Sequence, residues 1–154
     1  MRTILHIIIG TFCTIQTVRS QVITFSIDRF QHISYPKYFS DINDALKKNS
    51  IEYQDAGTTE MDYFISIPDS ILCYRYQSQS DTLRIVYYEK RTSGAIEVWT
   101  VNEGNKEIPL TNYLIGEDPS GNKLFICRWV DNEKIVGWFA PSIKCLVVTD
   151  RKQR

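Results

Sequence analysis

From residue 22 onward, apolar and polar residues alternate along much of the chain, and the apolar positions are rich in β-branched and aromatic side chains. A period of two sends successive side chains to opposite faces of an extended strand. The pattern therefore predicts strands over 22–28, 62–67, 71–77, 83–90 and 95–102, with three more over 123–130, 134–140 and 144–149. Turn-forming clusters separate them: Pro68-Asp69-Ser70, Ser93-Gly94, Glu103-Gly104-Asn105 and Asp118-Pro119-Ser120-Gly121. One short helix is expected over 41–48, capped by Ser40, with acids early and Lys47-Lys48 at the end where the helix dipole favours cations. Residues 49–60 have little periodicity and read as a loop. The sum is a mostly-β single small domain of about eight short antiparallel strands, arranged as a sandwich, barrel or prism.

Residues 1–20 break this pattern. Met1-Arg2 is basic, and residues 4–12 are apolar apart from His6, Gly10 and Thr11. Val18 and Ser20 then stand at positions −3 and −1 before Gln21. This is the three-part layout of a cleavable secretory signal, and its apolar run is too short to span a bilayer. The expected product is a secreted, extracellular domain over 21–154 with no membrane span.

Cleavage changes the charge and the cysteine count. Removing twenty residues leaves 134 of the 154, with 16 basic and 18 acidic side chains. No basic surplus remains to neutralise phosphates, which argues against nucleic acid as a partner. Cys13 leaves with the signal, and Cys73, Cys127 and Cys145 stay. An odd number in an oxidising compartment predicts one disulfide plus a free thiol, or an intermolecular link in a homodimer. Cys127 and Cys145 fall on strands expected to be neighbours, so the disulfide is assigned to them.

Catalytic and metal constellations are missing from the sequence. His32 is the one histidine after residue 20, and no serine or cysteine near it has a nucleophile context. No nucleophile elbow, phosphate loop, dinucleotide fingerprint or zinc-ligand spacing occurs. Glu117-Asp118 are paired carboxylates, but acids in a turn are ordinarily just solvated. The expectation is a non-enzyme without cofactor.

Residues 69–76 and 122–129 echo each other at an offset of 53, each an apolar run ending in arginine and an aromatic residue. The second copy belongs to a longer ordered pattern. Pro109 leads into Gly116, Asp118 and Gly121 of an acidic glycine turn. Leu124, Phe125 and Arg128 follow on a strand, then Gly137, and then Pro141, Ser142 and Cys145 before the last strand. This order resembles the DM9 repeat (DUF3421) family over about residues 97–150, with 21–94 as a divergent first half. The resemblance implies a β-rich domain of two interlocked repeats, whose relatives include mannose-binding lectins of invertebrate immunity and salivary or toxin-like proteins. It also implies a ligand-contacting aspartate, matched by Asp118, and a lysine whose position falls here on Trp138. An indole cannot supply ammonium donors, though it can stack on a sugar face. Asp131 and Glu133, in the hairpin after Arg128, complete the candidate ligand-binding set; they are also candidate ion-pair partners of Arg128.

Two functions follow as expectations. One is a secreted binding protein for extracellular carbohydrate. The other is an effector that has lost sugar binding and meets a secreted or cell-surface protein through aromatics around Tyr74, Tyr76, Tyr87 and Tyr88. A small-ligand carrier of closed-barrel type fits the strand count and stands third.

Overall fold

The structure, a computed structural model, describes residues 20–39, 41–104 and 109–151. Residues 1–19 of the predicted signal segment, Cys13 included, and the expected cap Ser40 lie outside the described residues. The order is β1 (Gln21–Pro36), α1 (Ile42–Lys47), β2 (Glu52–Ser66), β3 (Ile71–Tyr76), β4 (Gln79–Lys90) and β5 (Ile96–Val101). Then come β6 (Thr111–Glu117), β7 (Lys123–Asp131), β8 (Lys134–Ala140) and β9 (Lys144–Asp150).

Every pairing is antiparallel, and each strand from β2 to β8 bonds to its sequence neighbour. β1 closes the ring. One of its edges pairs with β2; the other pairs with β8 over Gln31–Pro36 and with β9 over Gln21–Ser26. β8 and β9 thus run along β1 as one interrupted strand, and the sheet becomes an up-and-down barrel. No helix among the described residues is long and apolar enough to cross a membrane.

β1 serves two layers because its register breaks. Ile23, Phe25 and Ile27 fill the barrel, and register shifts around Arg29 then exchange its faces. Beyond them Phe30 packs inward, whereas Ile33 and Tyr35 face outward under α1. An inserted residue in one strand has this effect on side-chain parity. Ile42 and Ala45 of α1 join Ile33, Tyr35, Leu114 and Ile126 in this outer cluster.

A buried polar network lies on the same outer face. Glu97 accepts from Arg91 Nε at 3.0 Å on one oxygen and from Asn112 Nδ2 at 2.8 Å on the other. Arg128 donates to Asn112 Oδ1 at 2.8 Å and to the Tyr35 hydroxyl at 2.9 Å, and its guanidinium stands 3.6 Å from Glu97. Arg128 is therefore braced by β5, β6 and β1, not by its own hairpin as the sequence suggested. Glu133 instead pairs with Lys37, and Asp131 accepts from Asn132 Nδ2.

Three further expectations change. Residues 52–60, read as loop, form the first half of β2 against the far half of β1. Their side chains are mostly exposed, so backbone pairing holds them and no apolar period marks them. β6 escaped the alternation rule because it is buried on both faces: Tyr113 and Ile115 inward, Asn112 and Leu114 outward beneath the second layer. α1 is shorter than expected, and Asp41 caps it by accepting from the Asn43 amide at 2.9 Å.

Candidate functional site

Inward alternation places the site. Tyr63 on β2, Tyr113 on β6 and Phe125 on β7 meet Phe25 of β1 near the middle of the barrel. Phe25 and Tyr63 stack at 4.9 Å and 8°, and Phe125 lies 4.7 Å from Tyr63. Ile23, Ile65 and Leu72, each 0 % exposed, pack the barrel on the side of this cluster that holds the β2–β3 turn. On the other side the barrel is not filled.

There a cavity of about 520 Å³ extends toward the end formed by the β3–β4, β5–β6 and β7–β8 connections. Its walls are Met61, Tyr63 and Tyr74 on one flank and Tyr113, Trp129 and Trp138 on the other. Leu83, Cys127 and Thr111 complete the sides, and Pro109 brings in the β5–β6 connection. Trp138 is held edge-on by Phe30 at 5.2 Å and by His32 at 5.1 Å.

The chemistry of this lining is neutral. Burial pushes the Cys127 thiol up to about 12, with a hydrogen bond from Tyr113 acting in the opposite direction. Burial likewise raises Tyr63 and Tyr113 well above an ordinary phenol. All three stay protonated at physiological pH. Tyr74 donates to Asp81 at 3.3 Å, and Thr111 donates to the Pro109 carbonyl at 2.9 Å. Among the described residues no group of three His, Cys, Asp or Glu side chains could hold a metal ion.

The residues singled out from sequence do not converge on this cavity. Trp138 lines it. Asp118 sits in the β6–β7 turn, where one carboxylate oxygen accepts from the Ser120 and Asn122 amides at 2.8 and 2.9 Å and the other from Asn122 Nδ2 at 2.9 Å. Those bonds hold its carboxyl below the usual aspartate value. Asp131 and Glu133 belong to the β7–β8 hairpin, at the other end of β7. Nine strand residues put these two ends roughly 30 Å apart. The aromatic group around Tyr74 divides as well: Tyr74 and Tyr88 pack toward the core while Tyr87 stays exposed. A register shift between Ile85 and Tyr87 is what turns Tyr88 inward.

The assigned disulfide is not formed; Cys73, Cys127 and Cys145 are all free. Ile143 N–H donates to the Lys123 carbonyl at 3.0 Å, so β9 starts where β7 starts and Cys145 lies near that end. Cys127 stands four residues further along β7 and faces into the barrel, whereas Cys145 is exposed. Cys73 and Cys145 do line one outer groove of about 490 Å³ with Ser26, Asp62 and Arg75. Its carboxylate is already satisfied, since Asp62 accepts from Ser26 at 2.7 Å and from Arg75 at 3.1 and 2.5 Å.

The sequence signal for the cavity is a set of large aromatics at inward strand positions, Tyr63, Tyr74, Tyr113 and Trp129. Tyr113 is the exception, because the short apolar run of β6 does not mark it as a strand and gives its tyrosine no facing. No protein-family model, no curated protein and no solved structure matches the chain.

Proposed function

We propose that this chain is a secreted, non-catalytic carrier that holds a small apolar molecule inside its barrel. The observation that carries the reading is the cavity of about 520 Å³ lined by tyrosine, tryptophan and aliphatic side chains. Concave sites of this size and character, with few polar groups, are the usual form of small-molecule sites. Export rests on the N-terminal pattern of Arg2, the apolar run and the Val18–Ser20 cleavage spacing. The expectation of a binding protein is kept, with the ligand changed from glycan to apolar molecule. The glycan reading needed Asp118 and Trp138 at one site, but the aspartate is spent on its turn and the indole faces the barrel interior.

Titration with N-phenyl-naphthylamine, followed by energy transfer from tryptophan, tests the carrier reading. One equivalent should bind with a Kd on the order of 10 μM or tighter, as expected for a ligand of this size. Leu83→Trp, which narrows the cavity, should weaken binding at least tenfold while the far-ultraviolet spectrum stays native. Saturable retention on mannan beads with no uptake of the dye would instead favour the glycan reading.

A further inference from the structure

The walls of the cavity restrict what it can hold. Among the described residues ten line it, of which five are aromatic and none carries a charge. A carboxylate or phosphate brought inside would lose its hydration and meet no arginine, lysine or protonated histidine among those ten residues. Burying an unpaired ion is among the costliest events in protein energetics. The Asp81 carboxylate, bonded to the hydroxyl of Tyr74, adds negative charge behind one wall and further disfavours an anion.

An organic cation would find ring faces, and cation–π contacts return part of its lost hydration. No carboxylate stands among the described lining residues, and Asp81 lies beyond the Tyr74 hydroxyl it accepts from, so that return is smaller than the desolvation penalty. Sugars are disfavoured by a different count. Their hydroxyls need several donors and acceptors, whereas the Thr111 and Tyr74 hydroxyls spend their protons on Pro109 and Asp81 and can only accept. What remains favourable is ring against ring, with a few weak polar contacts at the edges.

We propose that the ligand class of this cavity is an uncharged, flat aromatic molecule, held between the Trp129–Trp138 wall and the tyrosines facing it. The inference rests on the carrier reading and narrows it. Three probes sharing one naphthalene core separate the two. They are N-phenyl-naphthylamine, which is neutral; its anionic counterpart anilinonaphthalene sulfonate; and a trimethylammonium naphthalene. The neutral probe should bind at least tenfold tighter than either charged one. Affinity for it should fall several-fold in Trp129→Ala and in Trp138→Ala, with native far-ultraviolet spectra. It should hold in Trp99→Phe, since Trp99 lies on the outward face of β5 opposite Ile96 and Val98 and is no part of the cavity lining. Equal or tighter binding of a charged probe, with affinity still dependent on Trp129 and Trp138, would overturn the ligand class and leave the carrier standing. Failure of all three probes to bind folded protein would overturn the carrier as well.

Discussion

Gly137 sits where β8 crosses closest to β7. A methyl group added there would stand 2.0 Å from the Cys127 carbonyl oxygen and 2.8 Å from the Arg128 α-carbon, both backbone atoms that cannot step aside. Gly137→Ala should therefore destabilise the barrel by about 3 kcal/mol, at the upper end of overpacking costs, as read from the urea midpoint. Cys127 gives a second residue-level expectation. Its folded pKa, about 12, exceeds the ordinary thiol value of 9.0, so its contribution to stability is complete below pH 9.0 and declines as pH rises toward 12. Tyr63 and Tyr113, raised in the same direction, extend that loss above pH 10. Alkaline melts should show a fall in stability starting near pH 9, shallower in Cys127→Ala. At pH 8 in native protein, iodoacetamide should modify exposed Cys145 and leave Cys127 untouched until the chain unfolds.

Among the elements, the outer layer depends on one carboxylate. Glu97 of β5 ties Arg91, Asn112 and Arg128 together, and its side chain is only 6 % exposed. Removing one member of a buried ion pair strands its partner at a cost of about 3–5 kcal/mol. Glu97→Ala should fall in that range by urea denaturation, while Glu133→Ala, which breaks only the exposed pair with Lys37, should cost less than about 1 kcal/mol. The echo between residues 69–76 and 122–129 has a structural counterpart. Leu72 and Tyr74 of β3 face inward, as do Phe125 and Cys127 of β7, and Arg75 and Arg128 each reach an acid on the outer face. Two strands of one barrel share this facing whether or not they descend from a repeat.

Closure of the whole molecule through β1 makes the cavity a property of all eight strand positions together. A ligand bound there stabilises the folded chain by mass action. At one hundred times its Kd, N-phenyl-naphthylamine should add about 2.7 kcal/mol and raise Tm by several degrees, by scanning calorimetry. Acid should work the other way. Asp62 is held below the usual carboxylate range by Arg75 and Ser26, Glu52 by Ser34 and Lys134, and Asp69 by Ser66 and Arg151. Depressed folded values mean that these contributions are present above about pH 4 and are lost as pH falls through them. Stability should therefore decline below pH 4, and more steeply at low salt, where the exposed pairs are least screened.

The division between sequence and tertiary structure follows from what each interaction depends on. Alternation records the difference between water and core, and it marks the first part of β1, β3 and β4. β5, β7, β8 and β9 are legible from their β-branched and aromatic content and the turns that bound them, although β5 and β7 are buried on both faces and β9 is mostly exposed. α1, the one helix among the described residues, is legible as well. β6 and the first half of β2 lack both signals: β6 holds only the short apolar run Tyr113-Leu114-Ile115 between polar residues and Gly116, and residues 52–60 hold Tyr53 as their one large apolar side chain. Trp138 could be named as a candidate from its place in an ordered motif, but neither its inward aim nor the engagement of Asp118 in a turn follows from composition or spacing. Ring closure by β1, the bulges that exchange its faces and the aromatic cavity that results depend on contacts between residues far apart in the chain. Only the folded barrel decides them.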